Sequence, residues 1–219
     1  MKLRYFVFDL DGTLIDSSGA ILASLRQMEK RLGLHPLPDE TLRTFLGPPL
    51  RRCFMEHYHV TEADTEDMVS CYRTCYMEVG IDHTEVFPGA AESLRYIRAQ
   101  GGRTAIATMK QPPLARETLR RTGLETLLDY VALVPEHSVG DKAELVEECL
   151  AHLDCGDRHK AVLLGDTPYD GLAAARTGIF FAAAGWGGSL NERECAAYGR
   201  ICVYAEKPQH MWDFIRRVL

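Results

Sequence analysis

The chain has 219 residues, of which 46% are hydrophobic and 26% are charged, and its formal net charge is −6. This composition is ordinary for a soluble globular protein; the lack of a basic stripe argues against nucleic acid as a main partner, and the lack of an apolar run near roughly 20 residues argues against a membrane span. The seven cysteines are odd in number and lack paired short spacings, which favours reduced thiols and predicts a cytoplasmic protein.

The first predicted element is a strand at residues 5–10, an apolar run that ends in two carboxylates, Asp9 and Asp11. One leucine between them lets both acids reach a common space, where two such charges about 4 Å apart repel by roughly 4 kcal/mol at an effective dielectric near 20. A fold that keeps them together needs a cation, a shared proton or both. The pair therefore indicates a metal site or an acid/base pair, and an acidic turn with a capping Asp is the simpler alternative.

Residues 17–85 have helical periodicity and no convincing strand. They predict an all-helical insert between the first strand and the second. The predicted helices cover residues 18–32, 39–57 and 61–79, with breaks at Gly33 and Pro36, at residues 47–49 and at Gly80. We expect the chain to enter and leave this insert near residues 16–17 and 84–87.

β-rich runs alternate with amphipathic helical patterns from residue 88 onward. The predicted strands are residues 103–108, 130–134, 160–164, 179–183 and 201–204. Helices are predicted to begin after residues 88–89, at residues 112–113, and after Asp141, which forms a capping-box pattern with Glu144. This alternation predicts an α/β fold, in which an open parallel sheet is covered by helices on both faces.

Polar side chains follow three of the predicted strands, at the edge where open parallel sheets bind their ligands. The residues at these strand ends are Asp9 and Asp11 after the first strand, Thr108 at the end of the second, and Asp166 and Asp170 after the fourth. Together they predict an acidic pocket for a hard divalent cation such as Mg²⁺, which prefers carboxylate, carbonyl and water oxygens.

Lys142 lies in the first turn of the helix that begins near Asp141. A cation at this position opposes the helix dipole, at a cost on the order of a few tenths of a kcal/mol. A solvated surface lysine is the ordinary explanation. Helix N-termini bind anions, however, and this helix leads to the strand before Asp166, so we favour a phosphate or carboxylate partner for Lys142.

Four motifs in this order resemble those of the haloacid dehalogenase superfamily of phosphohydrolases. They are residues 9–13 (DLDGT), Thr108, Lys142, and residues 165–166 with Asp170. The resemblance covers nearly the full chain and implies a Rossmann-like catalytic core at residues 1–16 and 86–219. It also implies that residues 17–85 are a helical cap of the C1 type, which would close over the substrate.

The resemblance implies a mechanism centred on Asp9 and Asp11. Asp9 would attack phosphorus and form an aspartyl-phosphate, and Asp11 would protonate the leaving oxygen and then activate water. Dehalogenases of the same superfamily do not need the second aspartate. The presence of Asp11 therefore favours phosphoryl chemistry over carbon–halogen chemistry.

The same resemblance implies roles for the other motif residues. The implied Mg²⁺ ligands are Asp9, the backbone carbonyl of Asp11, and Asp166. Asp170 would lie outside direct contact with the ion and orient metal-bound water or Lys142. Thr108 and Lys142 would hold the transferring phosphoryl group, so that catalysis rests mainly on positioning and charge neutralisation.

Substrate contacts are predicted in the helical insert and in the second motif. Residues 46–50 (LGPPL) resemble the substrate-specificity loop of phosphoglycolate phosphatases, and many relatives place a polar residue where this chain has Met109. The candidate substrate-binding residues are Gly47, Pro48, Arg51 and Met109. Lys110, the next residue, is expected on a solvated face, with a contact to substrate as the alternative.

The sequence thus predicts a magnesium-dependent phosphatase that acts on a small phosphorylated metabolite, with 2-phosphoglycolate as the first candidate and other organic phosphates, nucleotides and pyrophosphate as alternatives. A phosphomutase of the β-phosphoglucomutase kind is the nearest alternative, because it shares every core motif. A non-enzymatic binding or regulatory protein on the same fold is a further alternative. Such a protein is expected to have lost part of the core set, whereas this chain retains Asp9, Asp11, Thr108, Lys142 and Asp166.

Overall fold

The chain folds into two units. One contains alternating strands and helices, and the other contains consecutive helices. The computed structural model describes residues 2–135 and 140–219. One unit contains Met1–Asp16 and Val86–Leu219, and the other is the continuous segment Ser17–Glu85. We call the first the sheet unit and the second the helical unit.

Six parallel strands form the main sheet of the described chain. The strands in chain order are β1 (Tyr5–Phe8), β2 (Ile15–Asp16), β3 (Glu85–Val86), β4 (Arg103–Thr108), β5 (Tyr130–Leu133), β6 (Ala161–Gly165), β7 (Phe180–Ala184) and β8 (Ile201–Ala205). The main sheet has the order β5–β4–β1–β6–β7–β8 with parallel neighbours, and β2 pairs with β3 in a separate two-stranded sheet. The predicted α/β fold with an open parallel sheet is confirmed.

The described residues also form α-helices, along with several short 3-10 helices. The α-helices are α1 (Ser18–Leu32), α2 (Asp39–Arg43), α3 (Leu50–Tyr58), α4 (Asp64–Glu78), α5 (Ala90–Ala99), α6 (Pro112–Thr122), α7 (Lys142–His152), α8 (Pro168–Thr177), α9 (Glu192–Cys195) and α10 (Pro208–Val218). The first four belong to the helical unit and the others to the sheet unit. Within residues 2–135 and 140–219, no helix has the length and apolar character to cross a membrane.

β1 is apolar at every position because both of its faces are covered. Phe6 and Phe8 join a core cluster with Trp212 of α10, whereas Val7 joins a second cluster with Val146 of α7. All four residues of β1 are buried. Parallel strands buried on both faces have continuous apolar sequences, which explains the run before Asp9 and holds β1 firmly in the sheet.

In the helical unit, the break predicted at residues 47–49 separates α2 from α3. Gly47 has a φ of 105°, a backbone conformation that glycine adopts without the strain of a side chain. Two prolines follow, and α3 begins directly after Pro49, where a missing backbone donor does no harm. The segment predicted as helical from residue 39 to residue 57 is therefore two short helices joined by a stiff turn.

A buried carboxylate, Glu29 of α1, joins three parts of the helical unit. It is only 2% exposed. Its oxygens accept hydrogen bonds from Arg26 Nη1 at 2.8 Å, from the Tyr58 hydroxyl of α3 at 2.9 Å and from the Leu37 amide at 2.8 Å. A buried charge is stable only when such partners satisfy it, so Glu29 fixes α3 and the α1–α2 connection onto α1.

Candidate active site

The parallel register of the sheet brings the ends of neighbouring strands to one edge. β1 lies between β4 and β6, and the amide of Asp9 donates to the carbonyl of Leu164 in β6 at 2.8 Å. Asp9 follows β1, Thr108 ends β4, and Asp166 follows β6. Their side chains therefore belong to the same edge of the sheet, which is where open parallel sheets bind ligands.

Three buried carboxylates converge at this edge. One oxygen each of Asp9, Asp166 and Asp170 lies within 4.8 Å of the other two, and all three residues are buried. Carboxylate oxygens are ligands that Mg²⁺ prefers, so the donor chemistry of this cluster fits a divalent cation. The sequence predicts Asp170 outside direct contact with the ion, whereas the structure groups it with the two predicted ligands.

Lys142 is a buried cation that pairs with two of these acids. It is the first residue of α7 and is only 6% exposed. Its Nζ forms ion pairs with Asp9 and, at 2.8 Å, with Asp170. Burial disfavours its charge, but the ion pairs with Asp170 and Asp9 outweigh burial and raise the pKa of Lys142. Lys142 is thus a positive charge beside Asp9 and not a solvated surface lysine.

Burial disfavours the ionised forms of two of the carboxylates. It raises the pKa of Asp9 to about 7, with Lys142 opposing the shift and Asp170 adding to it. Burial, together with the nearby Asp9 and Asp170, raises the pKa of Asp166 to about 8 against the hydrogen bond from Thr13. A cation among such crowded carboxylates would favour their ionised forms.

Asp166 is held by one hydrogen bond and by the backbones of two glycines. Thr13 Oγ1 donates to Asp166 Oδ1 at 3.1 Å. A Cβ atom added to Gly12 or to Gly187 would lie 2.4 Å from an Asp166 atom, so only glycine allows this close approach. Gly187 is not among the residues predicted from the sequence; its place in the turn directly after the strand predicted at residues 179–183 is the signal that could have indicated it.

Asp170 is fixed by the start of α8. Its Oδ2 accepts from the Thr167 amide at 3.0 Å and from the Thr167 hydroxyl at 2.6 Å, while its own amide donates to Thr167 Oγ1 at 3.3 Å. These reciprocal bonds form a capping box. The box directs Oδ1 of Asp170 to Lys142, which suits the role of orienting that lysine.

Asp141 caps α7 where the sequence predicts a cap, although its partner differs. Its carboxylate accepts from the Ala143 amide at 2.8 Å and forms an ion pair with Arg176, also at 2.8 Å. The sequence predicts a capping box of Asp141 with Glu144, whereas the Asp141 side chain accepts from Ala143. The capping box in this part of the chain is formed by Thr167 and Asp170 at the start of α8. Such a cap stabilises the first turn of a helix, so Asp141 sets the position of Lys142.

The side chain of Asp11 pairs with a second lysine. Lys110 Nζ lies 2.8 Å from Asp11 Oδ1, and the side chain of Lys110 is only 9% exposed. The expectation of a solvated Lys110 is therefore wrong, because its ammonium turns back towards the acid after β1. Met109 is 37% exposed at this strand end, and its predicted contact with substrate stays a prediction.

The other predicted substrate residues, Gly47, Pro48 and Arg51, lie in the helical unit. Gly47 and Pro48 belong to the turn before α3. Arg51 donates to Thr65 Oγ1 at 3.0 Å and pairs with Glu66, so its guanidinium has partners within that unit. A role of these three residues in substrate binding stays a prediction.

The chain is similar to known hydrolases over most of its length. A profile of haloacid dehalogenase-like hydrolases matches residues 6–184. A 5'-nucleotidase of Pseudomonas aeruginosa is 33% identical over 87% of this chain and 87% of its own length. A phosphoglycolate phosphatase of Aquifex aeolicus is 28% identical over 84% of this chain and 86% of its own. The solved structure of a haloacid dehalogenase-like family hydrolase from Streptococcus pneumoniae has a TM-score of 0.82 at 26% identity, covering 97% of this chain and 98% of that one.

Proposed function

Because the chain belongs to the haloacid dehalogenase-like hydrolase family and is a phosphatase of that family, we propose that it hydrolyses a small organic phosphate monoester with Mg²⁺ as cofactor. In this proposal Asp9 is the nucleophile, and phosphate is released through an aspartyl-phosphate. The observation that carries the proposal is the buried Asp9 at the end of β1, paired with Lys142 and grouped with Asp166 and Asp170.

The charges at the strand ends suit a divalent cation and a phosphate ester. Four carboxyl groups and the two ammonium groups of Lys110 and Lys142 meet there. With every group ionised, four negative and two positive charges would leave a formal charge of −2. The proposed Mg²⁺ ligands are Asp9, the backbone carbonyl of Asp11, and Asp166. When bound, the ion would supply the positive charge that lets a carboxylate approach a phosphate dianion.

The proposed reaction has two steps. In the first, an Asp9 oxygen attacks phosphorus, the bond from phosphorus to the ester oxygen breaks, and Asp11 gives its proton to that oxygen. In the second, water attacks the aspartyl-phosphate, Asp11 takes a proton from the water, and the bond between phosphorus and Asp9 breaks. Lys142 and Thr108 hold the phosphoryl oxygens in both steps.

The proposed substrate is a small phosphorylated metabolite. We place 2-phosphoglycolate first because residues 46–50 resemble a phosphoglycolate phosphatase loop and one relative carries that name. A relative with higher identity is named a 5'-nucleotidase, so nucleoside 5'-monophosphates belong in the same panel. Release of inorganic phosphate from each compound ranks the candidates, and net isomerisation of a sugar phosphate without phosphate release would indicate a mutase.

Replacement of the nucleophile tests the proposal. Asp9→Asn should lower phosphate release from p-nitrophenyl phosphate with Mg²⁺ by at least about a thousandfold, because an amide does not attack phosphorus as a carboxylate does. Asp213→Asn removes an exposed carboxylate of α10 and is the matched control, which should keep full activity. Excess chelator should also stop phosphate release by the wild-type protein. Equal rates for Asp9→Asn and wild type would refute the assignment.

A further inference from the structure

Lys110 connects two neighbouring strand ends of the candidate site. After β4 the chain turns, and the Lys110 amide donates to Thr108 Oγ1 at 3.1 Å. The ammonium of the same residue reaches Asp11 Oδ1 at 2.8 Å. Because β1 and β4 are adjacent in the sheet, this residue ties the acid that follows β1 to the hydroxyl that ends β4.

The burial of Lys110 distinguishes this contact from a surface ion pair. Its side chain is 9% exposed, whereas that of its partner Asp11 is 31% exposed. Sequestering a long charged side chain costs rotamer entropy and hydration, and an ordinary surface pair with a carboxylate barely offsets such costs. The side chain of Lys110 is therefore held in one place, and its ammonium restricts where the Asp11 carboxylate can lie.

We propose that Lys110 is a positioning residue that orients Asp11 for proton transfer. The inference rests on the proposed function, because it assigns Lys110 a task in the same two steps. When Asp11 gives its proton to the ester oxygen, the ammonium of Lys110 stabilises the carboxylate that remains. When water attacks the aspartyl-phosphate, the same ammonium holds that carboxylate in place to take a proton from the water.

The leaving group of the substrate distinguishes this role from substrate binding. The alkoxide of β-glycerophosphate needs a proton as it leaves, whereas p-nitrophenolate leaves without one. The ratio kcat/KM reports on the steps up to the first bond cleavage. If Lys110 orients the acid, Lys110→Met should lower kcat/KM for β-glycerophosphate by about 10- to 100-fold and that for p-nitrophenyl phosphate by less than about threefold. A substrate-binding lysine would affect both esters alike.

A double-mutant cycle tests whether Lys110 acts through Asp11. In the Asp11→Asn background, Lys110→Met should lower kcat/KM for β-glycerophosphate by less than about twofold, because the group it positions is already absent. Lys160→Met removes an exposed lysine of the same sheet unit and is the matched control, with unchanged kcat/KM expected. Lys110→Gln is a second variant without the charge and should show the same dependence on the leaving group.

Two results would overturn the inference. One is an equal loss for both esters in the folded Lys110 variants, as judged by circular dichroism. The other is full additivity with Asp11→Asn, which would mean that Lys110 acts independently of the acid. Wild-type protein that releases no phosphate from either ester would instead refute the proposed function, so the two failures are distinguishable.

Discussion

Gly12 and Gly187 approach Asp166 from two different loops, and their backbones leave no room for a Cβ atom beside the carboxylate. Gly12 also has a φ of 78°, so steric and conformational constraints coincide there. At Gly187 the structure shows the steric constraint alone. A substitution at Gly187 therefore tests that constraint without added backbone strain. The placement of Asp166 matters because a displacement of about 1 Å can cost an enzyme about 100-fold in rate.

Gly187→Ala should impair activity more than stability. The added Cβ would lie 2.4 Å from Asp166, so the carboxylate has to move. We expect kcat/KM for p-nitrophenyl phosphate to fall by about 100-fold and the free energy of unfolding to fall by about 1–3 kcal/mol. Gly156→Ala meets open space and, as the control, should change kcat/KM by less than about twofold. Similar activity of the two variants would contradict the steric role of Gly187.

Lys142 and Lys110 show which site residues a sequence can reveal. Lys142 is the first residue of a helix. A cation at a helix N-terminus is unfavourable, so its presence there is a signal that can be read from the sequence. Lys110 lies in an irregular turn, and its partner Asp11 is 99 residues away in the chain, so no local pattern distinguishes it from a solvated lysine. Gly187 is equally hard to identify from sequence. The need for glycine there comes from its contact with Asp166 and not from its neighbours in sequence.

Among the helices, α1 and α3 are joined through a buried acid. Glu29 of α1 accepts hydrogen bonds from the Tyr58 hydroxyl of α3 and from the Leu37 amide. Arg26, one turn earlier on α1, supplies the compensating charge. This carboxylate therefore helps to position α3 on α1. A Glu side chain is rarely so deeply buried unless it is paired in this way.

Glu29→Ala should destabilise the helical unit. The substitution removes the acceptor of the Tyr58 hydroxyl and the Leu37 amide and the ion-pair partner of Arg26, and each buried donor without a partner costs about 1–3 kcal/mol. We expect the free energy of unfolding in urea to fall by about 2–5 kcal/mol. Glu56→Ala is the control, since the pair of Glu56 with Arg52 is exposed and should contribute less than about 1 kcal/mol. Equal destabilisation by the two changes would contradict the role of Glu29.

The sequence predicts helices well where the hydrophobic periodicity is long and uninterrupted. α1 spans Ser18–Leu32, the predicted range, because an amphipathic repeat precedes a glycine. α4 begins at Asp64, three residues later than predicted, because the Asp64 carboxylate binds the amide and hydroxyl of Thr61 in a turn. Side-chain bonds of this kind decide helix ends, and hydrophobic patterns do not register them.

For the molecule as a whole, the acidic cluster links stability to pH. Burial raises the pKa of Asp9 from 3.8 to about 7 and that of Asp166 from 3.8 to about 8. In the absence of a cation, the folded chain therefore binds more protons than the unfolded chain between about pH 4 and pH 8. The stability from these two acids is complete below about pH 4, falls progressively as the pH rises above 4, and is fully lost once the pH has passed through the range of 7 to 8.

In excess chelator, we expect the free energy of unfolding to fall by roughly 5 kcal/mol between about pH 5.5 and pH 8.5. Asp166→Asn removes one titrating acid, so it should flatten this dependence and be the more stable protein at high pH. Mg²⁺ should stabilise the wild type near pH 8.5, because a ligand of the folded state raises stability, and should stabilise Asp166→Asn much less. Urea titrations at constant ionic strength measure both effects, and identical pH slopes in the two proteins would contradict the linkage.

The position of β1 also has a consequence for synthesis on the ribosome. Tyr5–Phe8 is the first strand of the sheet to be made, yet it lies between β4 and β6, and its partners in β6 are residues 161–164. About 150 residues beyond β1 must be translated before both edges of β1 can pair. At 5–20 residues per second this interval is roughly 10–30 s. The helical unit is continuous in sequence and can form within that time, whereas the candidate active site of the nascent chain is incomplete until β6 emerges.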